Sequence, residues 1–176
     1  MLIAYALVIV VANVVTATFP PLVVFGIIIP CGSFLVGVTF FLRDFIQLRI
    51  GRNSVYKLMV LAAVVSGFIS FSLGDALNVA VASVISFFVS EALDTEVFTR
   101  LKLSIKCRVM VSGLVGGTLD SAIFIVMALS PIGSNVLSWE SVPYAILGQT
   151  IVKCGMQCLA LPILRKVVNI CEDGEF

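Results

Sequence analysis

The sequence predicts an all-α integral membrane protein in which one domain, residues 1–176, forms a single bundle of six transmembrane helices with both termini in the cytoplasm. Hydrophobic residues make up 60% of the 176 residues and the mean hydropathy is +1.18, which is more than a soluble domain of this length can bury. Apolar segments long enough to cross a bilayer core of about 30 Å recur between short turns. Lysine and arginine are confined to alternate connections. We expect the helices at about residues 2–18, 30–50, 54–73, 75–98, 109–129 and 143–164.

The first helix is expected to end at Pro20 and Pro21, because two prolines cannot continue its hydrogen-bond ladder. It lacks the basic start and the cleavage site of a signal peptide. Asn13 would be costly against lipid, so we expect its side chain to face the interior and to bond either a neighbouring helix or a ligand. The short apolar segment 22–29 predicts extended or re-entrant chain that packs against protein on the outer side.

Turn residues separate the next helices, and three carboxylates on these helices are candidates for a site. Pro30 is favourable in the first turn of the second helix, and residues 51–54 and 73–75 contain glycines typical of turns. Glu91 and Asp94 lie one turn apart on one face of the fourth helix. We expect no second buried base beside these two acids, so a ligand would supply the donors that they lack.

Asp44, the third of these carboxylates, lies near the inner end of the second helix. This part of the helix is dense in charge. Asp44 lies beside Arg43 and close to Arg49, near the expected inner surface. A solvated surface ion pair and a functional role explain it equally well.

The fifth helix carries a single charge, Asp120, near the middle of its apolar length. At about 1.5 Å per residue, Asp120 lies roughly 14 Å from the Leu129 end, close to the bilayer midplane. An aspartate at that depth costs about 2.5–3.5 kcal/mol, so it needs a partner. Lys153 is expected at a similar depth, in a polar stripe with Gln149 and Gln157 on the sixth helix. We predict that Asp120 and Lys153 meet, either in a ligand site or in an ion pair that only fixes helix register.

Small and aromatic residues surround the predicted pair in the sequence. Gly113 and Gly116 permit close helix contact and leave room for a ligand beside Asp120. Phe124, one turn beyond Asp120, is a candidate for stacking on a flat ligand, and Phe98 and Tyr144 are further candidates.

The charge distribution orients the bundle. Ten of the eleven lysines and arginines flank the second or the fourth connection or follow the last helix, and the other is Lys153, inside the membrane. The positive-inside rule places those connections in the cytoplasm. We therefore expect a multi-pass protein of the inner (plasma) membrane.

Several function classes are disfavoured by what the sequence lacks. There is no histidine, and the five cysteines show no C-x-x-C spacing, so we expect no metal site and no bound cofactor. No phosphate-binding loop and no G-x-S-x-G nucleophile motif is present, so we expect no catalytic residues and no enzymatic activity.

Three motifs resemble those of the vitamin uptake transporter family, which includes queuosine-precursor transporters. FLRDFIQLRIG, around Asp44, resembles the end of that family's second helix. VSEALDTEVFTRL, with Glu91 and Asp94, resembles its acidic motif, and GGTLDSAIF, around Asp120, is similar to its D-S/T-x-x-F motif. Lys153 matches its sixth-helix lysine. Together these matches cover nearly the whole chain.

The resemblance implies an importer of 7-deazaguanines, the 7-cyano or 7-aminomethyl precursors of queuosine used in tRNA modification. Two adjacent N–H donors on a guanine-like edge suit a carboxylate. The substrate-binding residues would be Asn13, Glu91, Asp94, Asp120, Phe124, Gln149 and Lys153. The partners would be this small molecule and the lipid bilayer, not nucleic acid, and a homodimer is left open. The alternative is a substrate-binding membrane subunit of an energy-coupled vitamin or nucleobase importer that needs a separate ATPase.

Overall fold

Six helices and one short β-hairpin make up the described part of the chain in a computed structural model. The structure describes residues 2–20, 22–24, 27–72 and 77–172, without the side chains of residues 2–4, 13, 17, 24, 27, 28, 70, 77, 78, 80 and 163–172. The helices are α1 (Leu2–Thr18), α2 (Ser33–Ile50), α3 (Arg52–Ser72), α4 (Leu77–Arg100), α5 (Ile105–Phe124) and α6 (Val142–Glu172).

The predicted extended segment forms an antiparallel pair of strands, β1 (Leu22–Val24) and β2 (Ile27–Ile29). Pro20 precedes the first strand and Pro30 follows the second, so neither proline has to donate within the pair. β2 packs against α6, and its Ile29 side chain is buried. The expectation of extended chain packed against protein is therefore confirmed for the described residues.

Two of the predicted helix boundaries are wrong by several residues. The segment 100–108, expected as a basic loop, is mostly helical, since α5 begins at Ile105 and only residues 101–104 connect it to α4. α6 continues past the expected end at 164 to Glu172, through Pro162. A proline removes one backbone donor but does not by itself stop a helix that neighbouring contacts support.

The helices contact one another in a closed ring, in the order α1, α3, α4, α5, α6, α2 and back to α1. The hairpin and residues 130–141 lie at one end, which we call the hairpin end. The turn at Gly51 and the α4–α5 connection lie at the other, which we call the Gly51 end. Gly51 adopts φ +84°, a left-handed conformation that favours glycine and allows α3 to begin one residue after α2 ends.

Two helical segments in the described residues are long and apolar enough to cross a membrane, Arg52–Ile69 and Ile105–Leu129. The second of these contains the predicted fifth span. Many apolar side chains point out of the bundle, for example Val64, Phe68 and Leu114, each more than half exposed. Such an outward apolar surface is favourable against lipid and costly against water.

Candidate functional site

Asp120 and Lys153 meet inside the ring of helices, as the sequence predicts. The Lys153 ammonium group donates to an Asp120 carboxylate oxygen at 2.7 Å, to the Ser121 hydroxyl at 2.8 Å and to the Gln149 side-chain oxygen at 3.3 Å. Gln149 and Lys153 lie one turn apart on α6, and Asp120 and Ser121 are adjacent on α5. All three donor positions of the ammonium are therefore occupied by the protein.

The second Asp120 carboxylate oxygen is held far less tightly. It accepts one long hydrogen bond, 3.5 Å, from the Ser90 hydroxyl of α4. Asp120 retains 8% exposure, whereas Lys153 retains 2%. The carboxylate therefore offers one acceptor to a molecule that enters from its open side.

A cavity lies on the hairpin side of this pair, and every helix contributes to its wall. The space open to the centres of water-sized spheres is about 100 Å³, roughly an order of magnitude more than the ~10–15 Å³ that one water needs. Its wall consists of Ile9, Ala12, Thr16, Pro30, Gly32, Ser33, Val36, Thr39, Ser66, Ser83, Ser86, Phe87, Asp120, Phe124, Gln149 and Lys153. An apolar wall with a few convergent polar groups is typical of small-molecule sites.

The backbone widens at the end of α5, directly after the residues that line the cavity. Ile125–Leu129 form a π-helical turn that continues α5, and the backbone N–H of Ser130 donates to the Ile125 carbonyl at 2.9 Å. π-helical turns inside α-helices occur frequently at functional sites, because the extra residue shifts the side chains that follow. Phe124 is the last α-helical residue before this turn, and it lines the cavity.

Glu91 and Asp94 belong to a second buried cluster, on the Gly51 side of the cavity, and they do have a buried base. Arg43 of α2 is fully buried and forms ion pairs with Asp44 at 2.7 Å, with Glu91 at 3.5 Å and with Asp94. It also donates to the Glu91 backbone carbonyl at 3.1 Å. The expectation that Glu91 and Asp94 lack a second buried base is therefore wrong.

The same cluster corrects the position expected for Asp44. Its side chain is fully buried with Arg43 and is not on a solvated surface. Because Arg43 points into the bundle, nine of the ten basic residues assigned to the cytoplasmic side remain available for that side.

The acids of this cluster outnumber the base by three to one, and several of their oxygens accept no hydrogen bond. Both side-chain oxygens of Glu91, one of Asp44 and one of Asp94 are buried and form no hydrogen bond in the described part of the chain. Asp44 and Asp94 each accept one bond from Arg43. Glu91 is thus the least compensated of the three acids.

Two glycines allow the helices that carry the Asp120–Lys153 pair and the Arg43 cluster to approach each other closely. A Cβ on Gly116 would come within 2.8 Å of the Asp94 Cβ, and one on Gly37 would come within 2.7 Å of the Lys153 carbonyl oxygen. These glycines therefore bring α5 against α4 and α2 against α6. Asp94 fills the space beside Gly116, so the room beside Asp120 that was expected for a ligand lies toward the cavity.

Six of the seven predicted substrate-binding residues lie either in the cavity wall or in the Arg43 cluster. Asp120, Phe124, Gln149 and Lys153 line the cavity, while Glu91 and Asp94 lie in the Arg43 cluster. The Asn13 side chain lies outside the described residues, so nothing is concluded about its partner.

The two further aromatic candidates do not line the cavity. Phe98 is buried beneath the Arg108 guanidinium, 4.2 Å from the centre of its ring, and Tyr144 is 64% exposed on the outside of the bundle. Phe87 of α4, which the sequence analysis did not single out, lines the cavity instead.

Arg43 is the important residue that sequence reasoning missed. It was counted with the surface charges because it adjoins Asp44 and Arg49 in a polar stretch. One signal was present in the sequence: acids within an apolar helix require a base, and Arg43 follows the apolar part of the second helix. Pairing in that way would have predicted an α2–α4 contact.

Comparison with known proteins identifies one family. The family model described as "Putative vitamin uptake transporter" matches residues 69–167, from the end of α3 into α6. The match covers more than half of the chain and includes Asp120 and Lys153, but not Arg43. Neither a curated protein nor a solved structure matches the chain.

Proposed function

Because the chain belongs to the vitamin uptake transporter family, whose members are membrane transporters, we propose that it imports 7-deazaguanine precursors of queuosine into the cytoplasm. The cargo would be 7-cyano-7-deazaguanine or its aminomethyl relative. The proposed location is the inner (plasma) membrane, with six spans and both termini in the cytoplasm. The basic residues near the Gly51 end support that orientation.

The cavity built by all six helices, closed on one side by Asp120 and Lys153, is the observation that carries the proposal. A guanine-like ring presents adjacent N–H donors along one edge and a carbonyl beside them. The loosely held oxygen of Asp120 would accept from that edge. The Gln149–Lys153 bond, the longest that Lys153 makes, is the one that a substrate carbonyl would replace.

The apolar part of the wall suits the faces of the same ring. Phe87 and Phe124 come from α4 and α5 and line one cavity, so a planar base between the helices would meet aromatic surface. Ser83 and Ser86 add hydroxyl groups on the same wall. The substrate would be recognised by one carboxylate at its edge and by aromatic contact on its face.

Uptake by purified protein in liposomes tests this function. We expect wild-type protein to accumulate labelled 7-cyano-7-deazaguanine without added partners, and Asp120→Asn and Lys153→Met to reduce initial uptake at least about tenfold, the factor that corresponds to about 1.4 kcal/mol. Glu96→Gln and Arg52→Met are matched controls, because they break a partly exposed ion pair between α3 and α4, away from the cavity. Normal uptake by both site variants, with insertion verified, would refute the proposal.

The same assay separates a stand-alone importer from a substrate-binding subunit. Uptake that requires ATP and an added ATPase, together with binding by the isolated protein, would support the subunit alternative. Binding is measured by titrating the purified protein with a panel of purines and deazapurines. Tighter binding of adenine than of the deazaguanines would reject the assigned substrate, because adenine lacks the two adjacent N–H donors from which Asp120 would accept hydrogen bonds.

A further inference from the structure

The Arg43 cluster has a chemical property that substrate binding does not explain. Three carboxylates, Asp44, Glu91 and Asp94, face one guanidinium, and all four side chains are fully buried. If every acid were ionised, the cluster would hold two uncompensated negative charges inside the bundle, which burial strongly disfavours. Something must compensate part of that charge.

A metal ion is a poor candidate for this role. No group of three or more acidic, cysteine or histidine side chains in the described ranges is arranged to hold one. Arg43 already occupies the space toward which the three acids converge. A proton needs no coordination shell, and it changes a carboxylate into a neutral group that can also donate a hydrogen bond.

The geometry singles out Glu91 as the group that would carry the proton. Its two side-chain oxygens accept no hydrogen bond, and its only described charge contact is the 3.5 Å approach of Arg43. The Tyr5 hydroxyl of α1 is fully buried close to Glu91, but the contact between the two groups does not reach normal hydrogen-bond geometry. A protonated Glu91 would remove one uncompensated charge and could donate to the Tyr5 oxygen or to a neighbouring carboxylate.

Groups from several helices face Glu91. Tyr5 comes from α1, Arg43 and Asp44 from α2, and Asp94 from its own helix. Asp120 faces Glu91 from α5, and Asp120 is itself paired with Lys153 of α6. From α3, Met59 contacts Thr95 of α4, and the Met59 side chain is not titratable. Only one of these neighbours is a base in direct contact, so the surroundings of Glu91 are acidic overall.

We propose that Glu91 is a proton-binding site and that its proton is the coupling ion of a proton-driven import cycle. Binding adds H⁺ to the carboxylate and release returns it, with no other reactant. Arg43 ties α2 to α4 on the Gly51 side of the cavity, so loss of the proton would draw Arg43 toward Glu91 and away from Asp94. The site thus links proton occupancy to the ion pairs that join α2 to α4. Its role rests on the proposed transport function, but the existence of the site does not.

Infrared spectroscopy of the purified protein in lipid tests the site without any substrate. At neutral pH we expect the carbonyl band of a protonated carboxylic acid in the wild type and in Glu96→Gln, and its loss in Glu91→Gln. Glu96 is a matched control, because it lies five residues further along the same helix and pairs with Arg52 at the surface. Absence of the band in the wild type, or its persistence in Glu91→Gln, would overturn the proposal.

Transport in liposomes tests the coupling. With one proton per substrate, an outside-acid gradient of one pH unit supports up to about tenfold accumulation, because each pH unit is a factor of ten in proton activity. We expect Glu91→Gln to exchange labelled for unlabelled substrate but to show an accumulation ratio of about one. Equal accumulation by this variant and the wild type, or accumulation driven by sodium instead, would contradict the coupling. A wild type that exchanges no deazaguanine would refute the assigned transport function, while the infrared result would still decide the proton site.

Discussion

Replacing Lys153 by methionine tests most directly how much the buried Asp120–Lys153 pair contributes to stability. The variant leaves Asp120, whose side chain is 12% exposed, without its cation, and removes the donor shared by Ser121 and Gln149. Breaking a buried ion pair from one side costs about 3–5 kcal/mol, because the remaining charge stays buried and unpaired. For a protein of this size, 1 kcal/mol corresponds to about 2–4 °C in Tm, so we expect Tm to fall by about 6–20 °C.

The partly exposed pair between Arg52 and Glu96 provides the scale for comparison. Arg52 is 46% exposed and Glu96 22%, and such pairs contribute about 0–1 kcal/mol. Arg52→Met should therefore lower Tm by at most about 4 °C. Thermal unfolding in one detergent, followed by circular dichroism, gives both values under the same conditions. A Lys153→Met shift no larger than that of Arg52→Met would refute the burial argument.

The double variant Asp120→Asn, Lys153→Met separates stability from function. Because both charges are removed, no buried charge remains uncompensated, and we expect at least about half of the lost stability to return. Uptake should not return, since the Asn amide keeps one acceptor oxygen but has no charge and brings N–H donors to the N–H edge of the substrate. Recovery of both properties would mean that the pair only fixes the packing of α5 on α6.

Three further predictions test the packing, the cavity wall and the orientation. Gly37→Ala places a Cβ 2.7 Å from a backbone oxygen of α6 and should destabilise the protein by about 1–3 kcal/mol. Gly155→Ala is the control: its Cβ would meet nothing within 4 Å, so the same unfolding assay should show a neutral or stabilising effect. Phe124→Leu should weaken deazaguanine binding about 2- to 10-fold, as expected for the loss of about 0.5–1.5 kcal/mol of aromatic contact, while Tyr144→Leu, on the exposed outer surface, should leave the Kd unchanged in calorimetric titration. A membrane-impermeant thiol reagent should label the exposed Cys107 in a single-cysteine variant only from the cytoplasmic side, and labelling of intact cells from outside would invert the assigned topology.

The sequence predicted the features that depend on one segment at a time. Apolar lengths located the helices, and the prolines at 20, 21 and 30 bounded a short segment that was expected to be extended or re-entrant. Asp120 and Lys153 could also be paired in advance, because each is a lone charge in an apolar stretch and each is costly at that depth without the other. Helix ends were less predictable, since α6 continues to Glu172, past the expected end at residue 164.

Only the tertiary structure decided which faces of the helices meet. Arg43 and Asp94 are 51 positions apart, and nothing in either segment states that α2 is rotated so that Arg43 points at α4 and not at the aqueous phase. In the same way, Phe124 lines the cavity while Tyr144 points outward. The periodicity of a helix gives the spacing of its side chains, whereas its rotation about its own axis is fixed by packing and charge pairing with neighbours distant in sequence.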